Sequence, residues 1–174
     1  VWDRRKGRTG SGIWVHGSPV NTYSRPPLAS EGCISLTNPD FIDLDKFIDI
    51  ESTPVLIGDH FNWISIEQWK QQQKEAEQVV EQWRKDWESN IHQNYIANYS
   101  QSFSDGSKNL AEFSAHKERV NKSKAFIKVS LSDLSLFRYP NNPDLMVASF
   151  EQNYVSDNYQ GDSVKRQYWV KEEG

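Results

Sequence analysis

The 174-residue sequence holds one cysteine and one methionine. A single thiol allows no intrachain disulfide framework. The methionine is Met146, deep in the chain, so the sequence reads as a piece of a longer protein, and any export signal is expected upstream of it. No apolar run approaches the roughly 20 residues that a membrane helix needs. No Gly-x-Ser-x-Gly elbow is present, which removes the usual serine-hydrolase arrangement. The glycine-rich Gly7-Arg8-Thr9-Gly10-Ser11-Gly12 is not followed by Gly-Lys-Ser/Thr, so a phosphate loop is not expected there. Net charge is −4, and the basic cluster Arg4-Arg5-Lys6-Arg8 is short and adjoins Asp3; it reads as a solvated loop, and no nucleic-acid partner is expected.

With 36% hydrophobic, 25% charged and 13% aromatic residues, the composition is that of an ordinary globular protein. Its most informative feature is Cys33, which lies seventeen positions after His16. Either residue alone is most simply structural. Together they are set among glycines, with Gly17 directly after the histidine and Gly32 directly before the cysteine. A thiol becomes a strong nucleophile when a base favours the thiolate, and an imidazole returned to it by a loop does so. Glycines let the backbone turn and a substrate approach. The N–H groups at Gly32 and Cys33 are candidate oxyanion donors, each such donor contributing roughly 10²- to 10³-fold. Between them, Arg25 offers a planar cation for a substrate carboxylate, and Tyr23 and Ser30 are candidate groove residues.

Gly12 to His16 reads as a strand, followed by a loop rich in Pro, Ser, Asn and Tyr. Cys33 opens a second short strand. Asn38-Pro39 predicts a helix start, with Asn38 as cap and Phe41, Leu44, Phe47 and Ile48 on one face. Thr53 to Ile57 is apolar and β-branched and predicts a buried strand.

His16-Gly17 and Ser30-x-Gly32-Cys33-Ile34-x-Leu36, continuing through Asn38 to Thr53–Ile57, resemble the YkuD-type L,D-transpeptidase family of bacterial cell-wall enzymes. Glu31 stands where the commonest form of the motif has a second histidine, a replacement similar to that in a branch that includes L,D-carboxypeptidases. The resemblance implies the C-terminal part of a mostly-β catalytic domain. It also implies a cysteine acyl-enzyme formed on peptidoglycan tetrapeptide stems, with Cys33 as nucleophile, His16 as base and the Gly17 carbonyl orienting the imidazole. No cofactor and no metal are implied, and the working location is the periplasm or cell envelope.

Downstream, Ser65 with Gln68 forms a capping-box pattern that opens a long helix through Ile66, Trp69, Ala76, Val80, Trp83, Trp87 and Ile91. Leu110, Phe113 and Val120 mark another helix. Ile127, Val129 and Leu131 alternate with Lys128 and Ser130 as in a half-buried strand, and strands are predicted at Leu145–Tyr154 and Val164–Val170. Helices followed by a sheet make the class α+β. Trp83-x-x-x-Trp87, Tyr95, Tyr99 and Phe150-x-Gln152-x-Tyr154 resemble the nuclear-transport-factor-2-like (SnoaL-like) cone. The expected organisation is a catalytic portion at 1–64, a helical linker at 65–78 and the cone at 79–174, its last strand expected beyond Tyr168-Trp169. The alternatives to a transpeptidase are an L,D-carboxypeptidase and a non-catalytic module whose cone binds glycan or protein.

Overall fold

The computed structural model describes residues 12–26, 29–50 and 53–172, and the basic cluster at Arg4–Arg8 lies outside them. The chain divides into two units, Val1–Leu56 and Ile57–Gly174.

In the first unit, β1 (Val15–His16) pairs in parallel with β2 (Ile34–Ser35), with Val15 opposite Ile34 and His16 opposite Ser35. Parallel neighbours need a crossover, and the long loop between the two strands supplies it. Helix α1 (Asn38–Asp45) follows directly. Its cap is Thr37 and not the expected Asn38: Thr37 Oγ1 accepts from the Asp40 N–H at 3.3 Å, and Pro39 moves to the second helical position. Phe41, Leu44 and Ile48 are half-buried, while Phe47, past the end of the helix, is 82% exposed. The strand expected at Thr53–Ile57 does not form, and Val55 and Ile57 are exposed. A strand must pair its N–H and C=O groups with a neighbour, and no described segment pairs with this one.

The second unit is α+β. Helix α2 (Ile66–Glu88) opens on the predicted capping box, with Ser65 and Gln68 exchanging side-chain-to-backbone hydrogen bonds. Asn90 ends it in the left-handed region at φ 58°, a conformation that asparagine tolerates. Two further helices follow, α3 (His92–Ala97) and α4 (Leu110–Lys122), the latter opened by a second capping box of Asn109 and Glu112. Strands β3 (Ile127–Tyr139), β4 (Asn142–Ser156) and β5 (Gln160–Val170) form an antiparallel meander in that order. Pro140 and Asn141, the latter at φ 60°, make the tight β3–β4 turn. A register shift between Ser132 and Ser135, with Asp133 at φ 51°, puts a bulge in β3; bulges bend a strand and raise its twist.

The period-2 pattern decides which sheet face is covered. Ile127 and Val129 are buried while Lys128 and Ser130 are exposed, and on β4 Phe150, Gln152 and Tyr154 are buried together. Against them packs the C-terminal half of α2 through Val80, Trp83 and Trp87, joined by Tyr95 of α3. Burying each such aromatic removes about 150–250 Å² from water, an upper-bound gain of roughly 4–6 kcal/mol. Polar contacts fix the register of helix on sheet: Arg84 Nη1 donates to the Val129 carbonyl at 3.1 Å, and Glu88 Oε1 accepts from the Val129 N–H at 2.7 Å.

Candidate active site

His16 ends β1 and is half-buried. Its Nδ1 lies 2.6 Å from the Gly17 carbonyl oxygen. A carbonyl only accepts, so Nδ1 carries the proton and Nε2 presents its lone pair, the tautomer a general base requires. A Cβ at Gly17 would run into Asn38 Oδ1, so any other residue there would have to displace the Asn38 side chain.

Cys33 stands one residue before β2 and is half-buried. The ladder is set on either side of it by the Ile34 N–H to the Trp14 carbonyl at 2.8 Å and the Leu36 N–H to the His16 carbonyl at 2.9 Å. Since side chains alternate along a strand, the register gives Cys33 the face that Ser35 and its partner His16 share. The thiol donates to the Gly12 carbonyl at 3.6 Å; no hydrogen bond joins it to the His16 ring among the described residues. Gly32 holds φ +101°, a conformation closed to other residues without strain. Ser30 Oγ donates to the carbonyl of Cys33 at 2.6 Å, fastening the turn beneath the thiol.

His16, Gly17, Gly32 and Cys33 are thus brought to one short parallel ladder, with Ser30 bound to its backbone. Arg25 and Tyr23 stay on the exposed connecting loop. Arg25 Nη1 reaches the Ala29 carbonyl at 3.4 Å, and Tyr23, 77% exposed, lines a shallow hollow with Val20, Thr22, Asn38 and Pro39. Glu31 is exposed.

Three neighbours escaped the sequence reading. The Gly12 carbonyl carries no side-chain signal, and Asn38 beside Gly17 was hidden by its resemblance to a cap. Ser35 Oγ is buried without a partner on the ladder, and only the register reveals it.

A two-stranded ladder with His16 and a glycine-flanked Cys33, followed by a helix-covered antiparallel meander of the NTF2-like kind, makes this a two-part chain. A family model of the Cds6 C-terminal NTF2-like domain matches residues 75–174, more than half of the sequence, and the chain belongs to that family. A model of the L,D-transpeptidase catalytic domain, YkuD, matches residues 1–57. Among solved structures, Bd1075 of Bdellovibrio bacteriovorus is 30% identical with a TM-score of 0.83, over 99% of this chain and 62% of that one. Pgp2 of Campylobacter jejuni, described as a helical cell shape determining protein, is 24% identical with a TM-score of 0.70, over 95% of this chain and 58% of that one. The chain therefore spans about three fifths of the length of these structures. No curated protein matches it.

Proposed function

We propose that the chain is part of a peptidoglycan L,D-transpeptidase that acts through a cysteine acyl-enzyme on tetrapeptide stems. The observation that carries this reading is the Nδ1-protonated His16 on the same ladder face as Cys33, supported by the match of residues 1–57 to the L,D-transpeptidase catalytic domain. His16 Nε2 takes the thiol proton, and the Cys33 sulfur attacks the carbonyl of the L-centre that bears the terminal D-alanine. The oxyanion is met by N–H groups around Gly32 and Cys33. The C–N bond breaks as His16 returns the proton to the leaving amine, so a thioester forms and D-alanine departs. Attack on the thioester by an acceptor amine regenerates the thiol and makes the cross-link. Arg25, Tyr23 and Ser30 are the proposed substrate-side residues, with Arg25 directed at a stem carboxylate. No cofactor or metal enters the scheme, and the substrate sets the site of action in the cell envelope, the periplasm in particular.

Glu31, in place of the motif's second histidine, favours a second reading in which water resolves the thioester and the enzyme is an L,D-carboxypeptidase. Incubating the full-length protein with tetrapeptide muropeptides and a defined amine acceptor separates the two by product mass. The Cys33→Ala variant is expected to release no D-alanine; release at the parental rate would overturn both readings and leave the chain a binding module.

A further inference from the structure

The carbonyl that fixes the His16 tautomer belongs to a glycine, the residue with the widest choice of backbone conformations. Its own chain holds it loosely, so neighbours must hold it. The peptide group before Gly17 is on the ladder, since the His16 carbonyl accepts from the Leu36 N–H at 2.9 Å. The peptide group after it carries the carbonyl oxygen that lies 2.6 Å from His16 Nδ1, and strand pairing does not reach it, because β1 ends at His16. Two side chains flank this peptide instead. On one side Ser18 Oγ donates to the Leu36 carbonyl at 3.0 Å, a bond across eighteen positions that ties the chain just past Gly17 to the end of β2. On the other, Asn38 lies against the Gly17 Cα, where a Cβ would meet its Oδ1 and stand 3.4 Å from its Cγ.

Helix α1 makes no demand on the Asn38 amide. Thr37 is the cap, and its Oγ1 accepts from the Asp40 N–H. Asparagine is also a weaker helix former than alanine, so what Asn38 contributes lies in what it touches. The consequence reaches the base through one atom. If the Gly17 carbonyl swings away, Nδ1 loses its acceptor and the ring is free to carry its proton on Nε2, as a free imidazole in water prefers. In that form Nε2 is a donor and cannot take the proton of a thiol.

We propose that Asn38 and Ser18 are positioning residues for the general base: they clamp the Gly17–Ser18 peptide and, through its carbonyl, keep the lone pair of His16 on Nε2. The kinetic consequence rests on the acyl-enzyme reading of Cys33 and His16, whereas the tautomer belongs to the unreacted protein. Both are followed in the full-length protein labelled with ¹⁵N at histidine. Ring-nitrogen shifts of the neutral imidazole, assigned with His16→Gln, report the tautomer, and intact mass reports acylation by a carbapenem. The parental protein is expected to show the Nδ1–H form. Asn38→Ala and Ser18→Ala are expected to bring in the Nε2–H form and to slow acylation about two- to tenfold, the range that one neutral hydrogen bond covers. Ser18→Thr keeps the hydroxyl and is expected to keep the parental tautomer. Gly17→Ala displaces the Asn38 side chain and so acts on the same contact; combined with Asn38→Ala it is expected to be no slower than the slower single variant, as coupled sites behave. Parental ring shifts in folded Asn38→Ala and Ser18→Ala, or additive losses in the double variant, would overturn the clamp. A parental protein that the carbapenem does not acylate would overturn the acyl-enzyme reading, with the ring shifts still deciding the clamp. Where Asn38→Ala fails to fold, Gly17→Ala gives the same reading of the tautomer.

Discussion

Ser30 Oγ donates its hydrogen bond to the carbonyl of Cys33, 2.6 Å away, so the residue that opens the motif holds the backbone of its cysteine. The bond fixes the turn from which the thiol projects. A neutral hydrogen bond of this kind contributes about 0.5–1.5 kcal/mol net. Ser30→Ala in the full-length protein is expected to slow acylation of Cys33 by a carbapenem about two- to tenfold, followed by intact mass. An unchanged rate would show that the turn holds without the hydroxyl.

Gly32 carries a larger constraint. At φ +101° any side chain is strained, and a Cβ would lie 3.2 Å from Ile13 Cδ1. Backbone strain of this sort costs about 1–3 kcal/mol, and it falls on the peptide that precedes the nucleophile. Gly32→Ala is expected to cut carbapenem acylation more than tenfold while leaving the far-ultraviolet circular dichroism of the helical second unit intact. Loss of helix signal in step with activity would instead mean global unfolding.

How much of this was legible in the sequence depends on whether the signal was local. The capping box of Ser65 and Gln68, the alternation of Ile127 and Val129 with Lys128 and Ser130, and the burial of Trp83 and Trp87 on one helix face all follow from neighbours within a few positions. Helix α3 went unread because six residues give little periodicity. The Thr53–Ile57 strand was misread for a related reason: its residues suit a strand, but pairing is a property of two segments. At the candidate site the glycines and the His/Cys pair stood out as motif, whereas Asn38, Ser35 and the Gly12 carbonyl became visible only through the ladder. Lys117 drew no reading from the sequence, since nothing there places Trp87, Tyr95 and Phe113 around it.

The aromatic core also contains a polar chain. Trp83 Nε1 donates to the Tyr99 hydroxyl at 3.0 Å, and Tyr99 donates to the Tyr95 hydroxyl at 2.6 Å. Trp83 is 3% exposed, so removing its acceptor leaves a buried N–H unsatisfied, at a cost of about 1–3 kcal/mol. Tyr99→Phe is expected to lower the melting temperature by about 3–10 °C. Tyr159→Phe, at a side chain that is 61% exposed, serves as the near-neutral control. Equal melting of the two variants would show that the hydroxyl chain does not contribute.

The same core predicts an unusual dependence of stability on alkaline pH. Lys117 faces the rings of Trp87 on α2, Tyr95 on α3 and Phe113 on α4, with Lys165 opposing it from β5. Its amine titrates near 8 in the folded chain against an ordinary value of 10.5. Between those values the unfolded chain binds more protons than the folded one, so stability rises with pH. Burial acts in the opposite sense on the phenols, raising Tyr99 to about 12 and Tyr95 well above 10. Above pH 10 the unfolded chain loses phenolic protons that the folded chain keeps, and their contribution to stability is lost as pH climbs toward 12. The urea midpoint is therefore expected to increase from about pH 8 to pH 10 and to fall beyond it. In Lys117→Met the rise should vanish, with a higher midpoint at pH 7 because no buried charge remains, while the fall above pH 10 persists. A midpoint that declines steadily from pH 8 in the parental chain would mean that Lys117 is solvated in the folded state.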